Sequence, residues 1–311
     1  MKLKALSHYD NDTDTRFGDC ILLFDNTTLV VYDCGHNKHK EAIEAFLQSY
    51  PSITHIYIVV SHNDGDHTDG VIGLLERLHE DRYEVTLYSS LYLKSAKKVL
   101  GLLDDDRRTL PATKQRILEL FDNIKDIVEK AQSCGYVIKD AIVGAAVSVC
   151  CIVGPTEDEF VEVVAQAIEN GSDSQIDGET VMNAASVQLK CKLVNAQSIL
   201  LCGDASPAYM HKLNSYDVIQ LPHHGKLDSA KAVFASLKDK YIKEYLISDN
   251  TGSGSTSGGS DKLVQYMLNE CYAPAMNTKK SPVNIPAIGG GITSPTKPQG
   301  VKLGEMDFKL W

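Results

Sequence analysis

Short apolar runs bounded by turn residues dominate the first sixty positions. LKAL, CILLF and TLVVYD have the length of strands, and the turn-forming Asp25-Asn26-Thr27 separates the second from the third. Between Lys38 and Tyr50 the apolar positions Ala42, Ile43, Ala45, Phe46 and Leu47 follow helical spacing, and Pro51 stops the helix. Ile53 to Val60 is β-branched and predicts a buried strand, after which Val71 to Leu78 returns to helical spacing. Helices are predicted over 91–101 and 112–133, with the charged turn DDDRR between them, and over 157–169. Strands are predicted over 142–153, 184–194 and 198–203, and near 217–221. TGSGSTSGGS at 251–260 is a Gly/Ser-rich loop whose composition favours mobility, and the Pro- and Gly-rich tail from about 273 is expected to run irregularly. Neither a repeat nor a linker divides the chain, which predicts one domain over 1–311 with a helical insertion near 104–140. Strands first, then alternating strands and helices, predict an α/β (α+β) chain of packed sheets covered by helices.

Composition narrows the class. A chain of 311 residues can bury about 75% of its unfolded surface. With 43% hydrophobic and 23% charged residues it is neither disordered nor fibrous. Its net charge of -10 argues against coating duplex nucleic acid, which needs many Lys and Arg contacts to phosphate. The eight cysteines form no CxxC pair and lie mostly in apolar runs such as VSVCCIV, the pattern of buried thiols in a reducing compartment. No apolar signal core opens the chain and no run of 18 apolar residues occurs, so a cytoplasmic protein without a membrane partner is expected.

The chemistry concentrates in Ser61-His62-Asn63-Asp64-Gly65-Asp66-His67, directly after a buried-type strand. Four metal-ligand side chains, His62, Asp64, Asp66 and His67, fall within six residues, and imidazole and carboxylate together suit Zn, Mn or Fe. Gly65 lets the loop fold around an ion. Two more strand ends carry the same chemistry: Ser198 to Asp204 ends in Gly203-Asp204, and Val218 to Gly225 ends in Pro222-His223-His224-Gly225. Each is an ordinary loop on its own, but three such clusters at strand ends point to one site. His36 and His39 read as surface residues at a helix start, and Arg107-Arg108 and Lys279-Lys280 as solvated charges.

With these motifs the chain resembles metallo-β-lactamase-fold hydrolases, in the branch of the hydrolase domain of bacterial competence (DNA-uptake) proteins. That branch carries HxDxDH, then Gly-Asp, then Pro-His-His-Gly. Here these are His62-Asp64-Asp66-His67, Gly203-Asp204 and Pro222-His223-His224-Gly225. Phe17-Gly18-Asp19-Cys20, Val31-Tyr32-Asp33-Cys34-Gly35 and Asn183-Ala184-Ala185-Ser186 add to the likeness, which extends to about residue 250. The resemblance implies a four-layer αββα sandwich with two divalent metal ions at one edge, zinc preferred and manganese the second choice. His62 and Asp64 would hold the first metal, Asp66, His67 and His224 the second, and Asp204 would bridge both. His223 would face the substrate as a proton donor or phosphate contact, although the residues alone leave open which of the two adjacent histidines is the ligand. Asp33 would stand behind a ligand, and Lys226 would reach a substrate phosphate. In relatives a further histidine serves the first metal near Val153-Gly154-Pro155; here the position is Gly154, and Cys151 is a poor substitute. Relatives also often continue into Gly-His-Pro where this chain has Ser248-Asp249-Asn250-Thr251 and the Gly/Ser loop.

The implied activity is hydrolysis by a metal-bound hydroxide, with Asp66 and His223 as catalytic residues. The expected substrate is a phosphodiester, in nucleic acid or a small molecule, which makes the chain a nuclease or phosphodiesterase. Acyl hydrolysis of a lactone, thioester or lactam is the alternative chemistry. A binding or regulatory module with weakened turnover is the alternative class. The acidic net charge does not exclude an anionic substrate, because two divalent ions would outweigh Asp64, Asp66 and Asp204 locally.

Overall fold

Strand residues alternate between two buried environments. Ile21 and Leu23 face one cluster and Leu22 and Phe24 another; Ile199 and Leu201 face the first while Leu200 and Cys202 face a third. Side chains alternate across a strand, so continuous apolar runs such as ILLF and SILL identify sheets covered on both faces. The computed structural model describes residues 1–8, 17–90, 93–104, 107–172, 174–176, 179–249 and 259–287.

The first sheet contains β1 (Lys2–Ala5), β2 (Ile21–Phe24), β3 (Thr28–Tyr32), β4 (His55–Val59), β5 (Glu84–Ser89), β6 (Val137–Asp140) and β16 (Val283–Ile285), in the order β16-β1-β2-β3-β4-β5-β6. The second contains β7 (Ala146–Val147), β8 (Cys150–Gly154), β11 (Gln188–Lys192), β12 (Ser198–Leu201), β13 (Val218–Gln220), β14 (Glu244–Ile247) and β15 (Met276–Asn277), in the order β15-β14-β13-β12-β11-β8-β7. A small hairpin, β9 (Gln175–Ile176) with β10 (Glu179–Thr180), stands apart. Leu3, Ile21, Leu23, Val30 and Tyr32 meet Ile152, Leu189, Ile199, Leu201 and Val218 between the sheets.

Helices α1 (Asn37–Ser49), α3 (Val71–Glu80), α4 (Ala96–Leu100), α5 (Leu110–Leu120), α6 (Asp122–Ser133) and α7 (Glu157–Asn170) cover the first sheet. Helices α10 (Leu227–Ala235) and α11 (Asp261–Asn269) cover the second. The short turns α2 (Gly65–Thr68), α8 (Val181–Ala184) and α9 (Pro222–Gly225) lie at the strand ends. The result is the four-layer αββα sandwich implied by the sequence.

Several elements differ from expectation. The run expected as one strand over 142–153 is the tight pair β7–β8, broken at Ser148, whose φ is +54°. The segment expected as a strand from 184 begins with α8, capped by Thr180. The tail, expected to be irregular from 273, contributes β15 and β16, and β16 pairs with β1 across the whole length of the chain. Composition cannot reveal that pairing, because backbone hydrogen bonds complete it. Strands β5, β6 and β14 and helices α10 and α11 went unforeseen. Residues 250–258 of the Gly/Ser loop, and 288–311 of the tail, lie outside the described residues. Among the described residues no helix is long and apolar enough to cross a membrane.

Strand direction then places the site. Strands β3-β4-β5-β6 run parallel, and so do β12-β13-β14. Their C-terminal ends carry Asp33, Ser61-His62, Gly203-Asp204, His223-His224 and Ser248. Strand β2 is antiparallel to β3, so Asp19, two residues before it, arrives at the same edge. Ligand sites of α/β sheets commonly form at such carboxyl ends.

Candidate metal centre

Backbone packing shapes the loop between β4 and α3. The Asp66 carbonyl accepts a hydrogen bond from the Asp19 N–H at 3.0 Å, and the His67 carbonyl accepts one from Cys34 N–H at 3.1 Å. Gly18 and Gly35 make this approach possible: a Cβ on either would lie 1.6 or 1.9 Å from the Asp66 carbonyl oxygen. Asp33 (φ +61°), His223 (φ +54°) and His224 (φ +53°) all adopt the left-handed backbone region without being glycine. Such conformations cost about 1–3 kcal/mol each and concentrate at functional sites.

Four histidines converge, and an oxygen holds each through Nδ1. Ser61 Oγ lies 2.9 Å from His62 Nδ1, and Asp33 Oδ2 lies 2.9 Å from His67 Nδ1. Asp19 Oδ1 is 3.0 Å and the Ser248 carbonyl 3.1 Å from His224 Nδ1. Glu179 Oε2 lies 2.5 Å from His223 Nδ1. A histidine bound at Nδ1 presents Nε2 as its free face, the arrangement typical of metal-ligating imidazoles.

The Nε2 faces of His62 and His67 approach Asp204, and that of His224 approaches Asp66. His67 Nε2 lies 3.4 Å from Asp204 Oδ1, and His62 Nε2 lies 4.0 Å from Asp204 Oδ2. Asp64 Oδ2 is 3.8 Å from His62 Nε2, and Asp66 Oδ2 is 3.1 Å from His224 Nε2. The donor atoms of His62, His67 and Asp204 lie within 4.8 Å of one another, as do those of Asp19, His67 and His224. His62 Nε2, His67 Nε2 and Asp204 Oδ1 are buried and have no hydrogen-bond partner. Leaving such atoms unsatisfied is costly, and bound divalent cations would satisfy them.

The electrostatics agree. Burial alone would lower the His67 pKa, but Asp204 and Asp33 outweigh it and raise it well above the ordinary value. Burial likewise opposes the charged form of His224, and Asp204 and Asp19 reverse it. Asp204 sits well below the usual carboxylate range because His67 and His224 overcome its burial. His62, with burial and His67 both acting against its charge, is lowered. The carboxylates here demand positive charge, which protons or metal ions can supply.

The two adjacent histidines have different surroundings. His224 is buried between Asp19 and Asp66, whereas His223 is 31% exposed and 3.8 Å from Asp204 Oδ2. Lys226 Nζ bonds Glu179 Oε2 at 3.1 Å, beside His223 on the same carboxylate. Gly154 packs against Gln188, whose side-chain amide would meet an added Cβ at 2.6 Å. Cys151 lies on the opposite face of β8 from Ile152 and points away from the inter-sheet layer. His39 is buried beside His8, contrary to the surface expectation, and Lys279 pairs with Asp261.

Sequence reasoning assigned no role to Asp19, Glu179 or Ser61. Asp19 had a signal, its place in a Gly-Asp step before a buried strand. Glu179 had none, because a lone glutamate between two short hairpin strands looks like any loop residue.

No family model and no curated relative matches the chain. Among solved structures it is similar to the metallo-beta-lactamase fold protein YhfI from Bacillus subtilis, at 10% identity and TM-score 0.45, over 91% of this chain and 99% of that one. It is also similar to the short form of human tRNase Z, at 11% identity and TM-score 0.44, over 92% and 100% of the two chains. A Cronobacter sakazakii metallo-beta-lactamase aligns at 14% identity and TM-score 0.34, over 83% and 82%.

Proposed function

We propose that this chain is a metal-dependent hydrolase of the metallo-β-lactamase fold, akin to the competence-protein branch, acting on a phosphodiester. One observation carries the metal reading: three buried donor atoms, on His62, His67 and Asp204, face one another with no hydrogen-bond partner. His62 and Asp64 would hold one divalent ion, Asp66, His67 and His224 a second, and Asp204, lying between the two groups, would serve both. Zinc suits the imidazoles, and the three aspartates make manganese competitive. When bound, such ions acidify water to near-neutral pKa and draw charge from a phosphoryl oxygen. Asp33, Asp19 and Ser61 fix the imidazoles in one orientation. His223 would give a proton to the leaving oxygen, a role supported by its partial exposure and its bond to Glu179. The substrate class rests on the aspartate-rich donor set together with the sequence resemblance.

The test is a panel of single-stranded DNA, RNA, bis(p-nitrophenyl) phosphate, lactones and thioesters, assayed with added Zn or Mn. Phosphodiester cleavage lost in His67→Ala and in Asp204→Ala is the expected result. Cleavage of lactone or thioester alone would assign acyl chemistry. Inactivity on every substrate with metal fully loaded would overturn the hydrolase reading.

A further inference from the structure

The half-site of His62 and Asp64 is short of a side chain, since Gly154 offers none. We propose that Asn183 completes it through Oδ1. This rests on the metal-centre reading above and concerns a residue given no role there.

Asn183 is 3% exposed and sits in α8, between the sheet edge and the hairpin that carries Glu179. Its carboxamide lies between two oxygens. One end is 2.7 Å from Thr180 Oγ1, and the other, Nδ2, is 3.4 Å from Asp204 Oδ2. That same carboxylate oxygen lies 4.0 Å from His62 Nε2, which lies 3.8 Å from Asp64 Oδ2. The side chains of His62, Asp64, Asp204 and Asn183 thus form a chain of neighbours, with His62 Nε2 at its centre unsatisfied.

The amide can present either end. A half-turn about χ2 brings Oδ1 to the Asp204 side and turns Nδ2 toward Thr180. The Thr180 hydroxyl has two lone pairs, so it can accept from Nδ2 while it accepts from the Asn183 backbone N–H, now at 3.3 Å. Without a cation, Nδ2 toward the carboxylate is favourable. With a cation present, the acceptor oxygen belongs there, because two oxygens side by side need positive charge between them. The backbone need not move: the Asn183 carbonyl is fixed by Ser186 N–H at 2.9 Å and Ser186 Oγ at 2.7 Å.

The readout is Co²⁺ uptake by metal-free full-length protein, followed by calorimetry and by the visible absorption of the bound ion. Wild type, Asn183→Ala, Asn183→Asp, Asp64→Ala and His224→Ala are compared, with circular dichroism to show that each is folded. Two binding steps are expected in wild type. Asn183→Ala weakens the same step as Asp64→Ala, by at least about tenfold. It changes that step's absorption band and spares the step lost in His224→Ala, and Asn183→Asp restores it. Equal weakening of both steps would make Asn183 only a brace for the shared Asp204, and unchanged affinities would remove it from the site; either overturns the inference alone. No Co²⁺ uptake by wild type would instead overturn the metal centre itself.

Discussion

At the scale of single residues, burial decides what each histidine does. His62, His67 and His224 are buried beside carboxylates, whereas His39 is buried with neither ring nitrogen hydrogen-bonded. Burial, reinforced by His8, holds the His39 pKa well below its ordinary value. The unfolded chain takes up this proton near pH 6.5 and the folded chain does not. Stability should therefore be full above that pH and fall as pH drops below it, by at most about 1.4 kcal/mol per pH unit from this group. His39→Phe, with no proton to gain, should flatten that part of the profile. Urea unfolding at pH 7, 6 and 5 measures it; parallel profiles for the two proteins would refute the assignment. The sequence could not foresee this, because His36 and His39 share one helix start, yet one caps it and the other turns inward.

Elements decide how closely the ligands approach. The loop between β4 and α3 is clamped from the β2 side, through Gly18 and Gly35 against the Asp66 carbonyl, and from α6. There Asn63 Oδ1 accepts from Ile124 N–H at 3.0 Å, and the Asn63 carbonyl accepts from Asn123 Nδ2 at 2.7 Å. Helix α6 is thus tied to the loop that carries Asp64, Asp66 and His67. Gly18→Ala should displace that loop, costing more than about 2 kcal/mol and abolishing metal uptake. Gly144 shares a positive φ but has nothing within 4 Å of an added Cβ. Gly144→Ala should therefore pay backbone strain alone and keep its metal. Thermal unfolding and metal analysis of both variants test this, and normal metal content in Gly18→Ala would contradict it. HxDxDH was legible because its ligands are adjacent in sequence. The clamp was not, because its parts come from residues 18, 35 and 123.

For the whole molecule, metal binding and stability should be coupled. The donor atoms come from both sheets, His62 and His67 following β4, and Asp204 and His224 following β12 and β13. An ion held there joins the layers in the folded state and is lost on unfolding. At a free concentration a hundred times its Kd it would stabilise the fold by about 2.7 kcal/mol. Each kcal/mol moves Tm by roughly 2–4 °C in a chain approaching this size, so saturation should raise Tm by several degrees. Calorimetry with and without a chelator measures this, and identical melting curves would count against a bound ion.

What the sequence determined by itself was the layering and the His-Asp clusters at the strand ends. Apolar runs covered on both faces require buried sheets, and His-Asp clusters at their ends require a cation or protons nearby. Those signals are local, carried by neighbouring residues. The tertiary structure decided what depends on distant residues: that Asp19 and Glu179 reach His224 and His223, that Gly154 is closed by Gln188, and that the tail completes the first sheet beside β1. These partners are brought together by strand direction and packing, and no spacing along the chain encodes them.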